Sequence, residues 1–253
     1  MYIYVCDRNW EAMLTCIYEA LTSKRGHQNI KLMYGPVEQY TLLDEYITVE
    51  ADAKKVDILS TAIRNKISPY VYHEMAYVSM AYEDDAMDVI YRVLLLCFSK
   101  GPEAINMVQY RDVMRFNQIR TRLGKEVNRF QEFTRFHEVY KGMYVAHIEP
   151  KSKLVVALGP IFADRMPSEF FIIVDDIHRE AIIHPKDEEY YLRQLSDLEY
   201  MRLLETEEMN DEYTDMWKTF FDSIAISERE NARCQRNLFP LWTRKHAVEF
   251  TLG

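Results

Sequence analysis

Residues 104–148, AINMVQYRDVMRFNQIRTRLGKEVNRFQEFTRFHEVYKGMYVAHI, contain the change of hydrophobic period that decides the fold. In the first part Phe116, Ile119, Leu123, Val127 and Phe130 recur at three- and four-residue spacing, which puts them on one face of a long helix from Ala104 to about Phe130. Gly124 is the point where that helix would kink or end. From Arg135 the period shortens. Met143 to Ile148, Leu154 to Val156, Phe170 to Val174 and Ala181 to His184 read as strands bounded by Gly, Pro and Asp, and an antiparallel sheet is their expected product.

Upstream, Tyr2 to Cys6 reads as a buried strand, and Trp10 to Leu21 as a helix carrying Met13, Leu14, Ile17 and Leu21. Leu42 to Val49 has β character, and helices are expected over Ala53 to Ile67, Tyr70 to Met80 and Ala86 to Ser99. Lys100, Gly101 and Pro102 form the strongest helix-stopping cluster. They divide the chain into an N-terminal α/β region, residues 1–100, and a C-terminal α+β region, residues 101–253. Downstream, Ser196 and Glu199 form a capping box for a helix through Leu204. Tyr213, Met216, Trp217, Phe220, Phe221 and Ile224 then make an amphipathic stripe. The expected class is α+β, closing in C-terminal helices.

The 253 residues, 48% of them hydrophobic and 13% aromatic, suffice for a substantial core. A formal charge of -9 argues against a protein that coats nucleic acid with its whole surface, so any such contact is local. Cys6, Cys16, Cys97 and Cys234 are widely spaced, as reduced thiols in a cytoplasm would be. No basic stretch precedes an apolar one at the N-terminus, and no window reaches the length of a membrane span. The expectation is a cytoplasmic protein with no membrane partner.

Local motifs for chemistry are missing. His73-Glu74 lacks the second His of a zincin, no Cys or His spacing suits a zinc finger or an iron-sulfur cluster, and the glycines form neither a P-loop nor a dinucleotide fingerprint. No GxSxG elbow occurs. Neither metal nor cofactor is therefore expected from spacing, although a site assembled from distant residues would leave no such trace. The acids from Glu83 to Asp88 and from Glu205 to Asp215 offer oxygens to a divalent ion, but helix formers separate them and a solvated charged face is the plainer account.

The informative local signal is basic. Seven cations lie between Arg111 and Arg135, opposed by Asp112, Glu126 and Glu132. On a helical wheel Arg111, Arg115, Arg122, Lys125 and Arg129 share an arc of about 80°, beside the apolar face. Cations stacked at one-turn intervals repel unless something negative compensates them, either a phosphate backbone or acids of the same protein. Arg229, Arg233 and Arg236, followed by Arg244, Lys245 and His246, form a second basic group, diluted by Glu228 and Glu230.

Several separated motifs carry a resemblance: NRFQEFTRFHE at 128–138, GMYVA at 142–146, FADR at 162–165, Asp175 through Arg179, WKTF at 217–220, SIAI at 223–226 and RENARCQ at 229–235, then Pro240. In order and spacing they resemble a bacterial family of DNA metabolism or DNA repair proteins of undetermined reaction. The opening Tyr4-Val-Cys-Asp7 with Leu14-Thr15 resembles that family's first strand and helix. The resemblance implies a gene neighbour of the radical-SAM class that modifies or repairs DNA, and kinship with segments fused to uracil-DNA glycosylase-like domains. It marks Arg135, Phe136, Asp164, Arg165, Asp175, Arg179, Trp217, Lys218, Asn231 and Gln235 as family-motif positions. Ile161, where the family pattern leads one to expect His, and Met166, in place of an aromatic residue, depart from it.

Three expectations follow. The first is a nucleic-acid-binding accessory protein of DNA metabolism, with phosphates on the Arg111–Arg129 stripe and on Arg229, Arg233 and Arg236, and a radical-SAM partner performing the chemistry. The second is an enzyme acting on DNA or a nucleotide, with Asp164, Asp175 or Glu138 as acid or base beside Arg135 and Arg165. The third is a protein-binding scaffold that never touches DNA.

Overall fold

A computed structural model of the chain describes residues 1–207 and 239–247, together with Met216, Thr219, Arg233, Arg236 and Asn237. The fold is α+β, as the change of period predicts, with helices and two separate sheets. The chain divides into two compact units, Met1–Leu123 and Gly124–Gly253.

In the first unit β1 (Tyr2–Cys6) lies between β2 (Ile30–Tyr34) and β3 (Glu45–Thr48). Both pairings are parallel, so β1 and β2 need a crossover, which α1 (Trp10–Thr22) supplies. Asn9 starts α1 by accepting from the Ala12 amide at 2.8 Å. β2 is missing from the sequence reading. The stretch IKLMY is too short for its period to separate strand from helix, and only the pairing to β1 makes the choice.

Three further helices lie where the periodicity places them: α2 (Ala53–Lys66), α3 (Pro69–Ser79) and α4 (Ala86–Lys100). Asp52 caps α2, Ser68 caps α3 ahead of Pro69, and Gly101, at a φ of 87°, ends α4. Cys6, Cys16 and Cys97 are buried free thiols, and burial pushes Cys97 up to about 11, which keeps it unreactive.

The long helix, α5, runs from Arg111 to Phe133 rather than from Ala104, because Pro102–Asn106 forms a separate 3-10 turn. Gly124 does not break it. Val113, Phe116, Ile119, Leu123, Val127 and Phe130 are all buried, so packing on both sides of the glycine outweighs its helix penalty of about 1 kcal/mol.

The second unit is built on a five-stranded sheet of order β4-β5-β6-β7-β8. Its strands are β4 (His137–Tyr140), β5 (Met143–Ile148), β6 (Phe170–Asp175), β7 (Glu180–His184) and β8 (Tyr191–Gln194). Three pairings are antiparallel, but β5 and β6 are parallel, which corrects the all-antiparallel expectation. The parallel pair needs a crossover, and the expected strand at Leu154 to Val156 instead opens that connection as α6 (Val155–Arg165). Val155, Leu158 and Phe162 are its buried face. Gly159 allows the close approach, since a Cβ there would lie 2.7 Å from Tyr190 Cε2.

The capping box forms as read: Ser196 N and Oγ both donate to Glu199 Oε2 at the start of α7 (Asp197–Glu207). The stripe from Tyr213 to Ile224 lies outside the described residues, apart from the exposed, helical Met216 and the helical Thr219. Among the described residues no helix is long and apolar enough to cross a membrane.

Candidate functional site

α5 carries the basic stripe. In the first unit, Arg115 makes a two-pronged contact with Asp85, Nε and Nη2 each at 2.7 Å, and these hydrogen bonds hold the Asp85 carboxyl below its usual range. Arg122 lies 3.7 Å from the buried Glu83, and Arg120 bonds Glu74 at 2.7 Å. Asp84 and Asp88 meet Arg8 and Arg92. The acidic run from Glu83 to Asp88 is thus matched by arginines of its own unit. Arg111 is exposed.

In the second unit, Lys125 is exposed and Arg129 lies 5.7 Å from the centre of the Trp242 ring. Lys151 approaches the same ring to 5.0 Å. Lys245, three residues after Trp242, is exposed and paired with Glu149. Glu126, which the sequence sets against these cations, is not a surface acid. It is 5% exposed, its Oε1 accepts from the amides of Lys151 (2.7 Å) and Ser152 (3.3 Å), and its Oε2 accepts from Ser152 Oγ (2.7 Å). It pins the loop that presents Lys151.

Of the second basic group, Arg233 and Arg236 are helical and exposed, and Arg229 lies outside the described residues. So do Trp217, Lys218, Asn231 and Gln235. The other family-motif residues are mostly engaged in building the unit. Phe136 packs edge-on against Phe162 and Phe171. Arg135 donates to Glu132 O, and Arg165 to Gln131 O. Glu138 accepts from the Gly142 amide and closes the β4–β5 turn. Asp164 is exposed and lines an open cavity with Pro160, His184 and Tyr190.

Asp175, fully buried, shapes the β6–β7 turn: its Oδ1 accepts from the amides of Ile177 and His178, and its Oδ2 lies 2.7 Å from His178 Nδ1. Burial raises its pKa. Arg179 closes the same turn at a φ of 58°, its guanidinium 3.3 Å from the Tyr200 ring centre.

The residue beside that turn has the richer surroundings. Because β5 and β6 run parallel, with His147 opposite Val174 and Ile148 opposite Asp175, their carboxyl ends emerge together. Glu149 leaves one and Asp176 the other. Asp176 Oδ1 lies 3.0 Å from His147 Nδ1, and the His147 side chain is 1% exposed. Asp176 Oδ2 lies 3.4 Å from His246 Nε2, which is 3.9 Å from Glu149 Oε1. Lys245 also contacts Glu149. Burial, followed by the Asp176 charge beside it, raises the pKa of Tyr200. The His137 and His246 rings flank that of His147 at 6.4 and 6.0 Å.

Glu149, Asp176 and His246 can together hold a metal ion, since their donor atoms lie within 4.8 Å of one another. The sequence reading names neither His147 nor Glu149 and counts His246 only as part of a basic group. No local signal would have found them, since the cluster exists only once the parallel pairing is made.

No curated protein and no solved structure matches the chain. The model of one family, described as a domain of unknown function, DUF4130, matches residues 84–249. That span includes α5, the whole second sheet, the Trp242 patch and the histidine-carboxylate cluster. The chain therefore belongs to the DUF4130 family.

Proposed function

We propose that this chain is a nucleic-acid-binding accessory protein of DNA metabolism, with the chemistry performed by a radical-SAM partner. The observation that carries the reading is the approach of Arg129 and Lys151 to a single partly exposed indole, Trp242, with Lys125 exposed four residues before Arg129 on α5. Cations that track a phosphate backbone beside an aromatic ring suit single-stranded nucleic acid, whose unstacked bases pack on such rings. The net charge of -9 makes any contact with a polyanion a local one.

The test is fluorescence anisotropy with labelled single- and double-stranded oligonucleotides between about 50 and 200 mM salt. The double variant Arg129→Glu, Lys151→Glu is expected to bind at least about tenfold more weakly and to lower the salt slope by about 2, one for each lost phosphate contact. Trp242→Leu is expected to weaken single-strand binding by about 1–3 kcal/mol and duplex binding by less. Unchanged affinity and slope in the double variant would reject this patch. Binding to the radical-SAM partner with no affinity for either oligonucleotide would favour a protein scaffold.

A further inference from the structure

We propose that Glu149, Asp176 and His246 bind a divalent transition-metal ion at the carboxyl ends of β5 and β6. The claim does not depend on nucleic-acid binding. Donors about 2.1 Å from a tetrahedral ion stand about 3.4 Å apart. Asp176 Oδ2 and His246 Nε2 are 3.4 Å apart, and His246 Nε2 and Glu149 Oε1 are 3.9 Å apart. The first pair already has the spacing of two ligands, and the second reaches it by a side-chain shift of about half an ångström.

His147 gives the site its second, independent indication. His147 Nδ1 lies 3.0 Å from Asp176 Oδ1, its hydrogen-bond partner, and the other ring nitrogen is Nε2. That atom is buried and has no hydrogen-bond partner, and His147 lines the same small cavity as Glu149, Lys245 and His246. A histidine bonded to a ligating carboxylate fixes the orientation of that carboxylate.

Charge points the same way. Two carboxylates converge with two histidines, and among the described residues the ammonium of Lys245, whose side chain is 61% exposed, lies against Glu149. A mixed imidazole and carboxylate set suits Zn²⁺, Mn²⁺ or Fe²⁺ rather than Mg²⁺, which prefers oxygen alone.

The experiment uses the full chain, stripped with chelator and titrated with ZnCl₂ by calorimetry, with Co²⁺ as a spectroscopic substitute. Expected are one saturable site of micromolar or tighter affinity and a weakening of at least about 100-fold in His246→Ala. Glu149→Gln, at a partly exposed position where folding is not at stake, is expected to weaken binding at least about tenfold with an unchanged circular dichroism spectrum. Lys245→Ala removes the competing ammonium and is expected to tighten binding, a change of sign that general destabilisation would not produce. Absence of a saturable site, wild-type affinity in Glu149→Gln, or a thiolate-to-cobalt charge-transfer band indicating cysteine ligands would each overturn the proposal.

Discussion

Replacing Glu126 by Ala is the most direct test of how α5 presents the loop at residues 149–153. The carboxylate is buried and accepts three hydrogen bonds, from the Lys151 amide at 2.7 Å, the Ser152 amide at 3.3 Å and Ser152 Oγ at 2.7 Å. A hydrogen bond to a charged acceptor contributes about 1.5–3 kcal/mol, and the 3.3 Å bond belongs at or below the weak end. The three share one side chain, so their losses do not simply add, and a cost of about 3–5 kcal/mol is expected for Glu126→Ala. In Glu126→Gln, Oε1 still accepts both amides and the Ser152 hydroxyl turns to accept from the new NH₂, so only about 1–2 kcal/mol is lost.

Urea unfolding gives the global cost, and amide exchange at Lys151 and Ser152 the local one, tenfold faster for each 1.4 kcal/mol or so. The loop carries Glu149 and Lys151, so Glu126→Ala is also expected to weaken both proposed sites while Glu126→Gln spares them. A cost below about 0.5 kcal/mol for Glu126→Ala, or equal costs for the two variants, would refute the anchoring argument.

Gly159→Ala places a Cβ 2.7 Å from Tyr190 Cε2 and 3.1 Å from Ile182 Cδ1, and is expected to cost about 1–3 kcal/mol in thermal unfolding, relieved by Tyr190→Leu in the same chain; a neutral Gly159→Ala would show that α6 packs less closely on β7. Asp175→Ala strips the buried β6–β7 turn of the acceptor for two amides and is expected to cost about 2–4 kcal/mol, whereas Asp175→Asn keeps that oxygen and costs less than half as much, and the reverse order in urea unfolding would contradict the turn. Arg115 lowers the folded-state pKa of Asp85, so the stability from this pair is present above the unfolded carboxylate value and is lost as pH falls through the folded one. Acid unfolding of Arg115→Gln should therefore depend less on pH than that of the wild type, and parallel curves would show that the pair contributes nothing to folding.

Class and element placement were legible where a period or a cap is local. The 3.6-residue spacing from Phe116 to Phe130 marked the buried face of α5, and Ser196 with Glu199 marked the start of α7. β2, β4 and β8 were not: β4 and β8 have no fully buried residue to mark an apolar face, and β2 is assigned by its pairing to β1. Leu154 to Val156 was misread for the same reason: three apolar residues suit strand or helix, and the need to cross over between parallel strands settles the matter.

The sequence by itself therefore determined the α+β class, the apolar face of α5, the capped helix starts, the absence of contiguous catalytic and phosphate-binding motifs, and the order of motifs that the family match now spans. Only the tertiary structure decided which charges are spent within the protein. It committed Arg115 to Asp85, turned Glu126 inward and set Asp175 into a turn. It also gathered His147, Glu149, Asp176 and His246 at the ends of two parallel strands. A periodicity is a property of neighbours along the chain, whereas an ion pair or a ligand set is a property of neighbours in space.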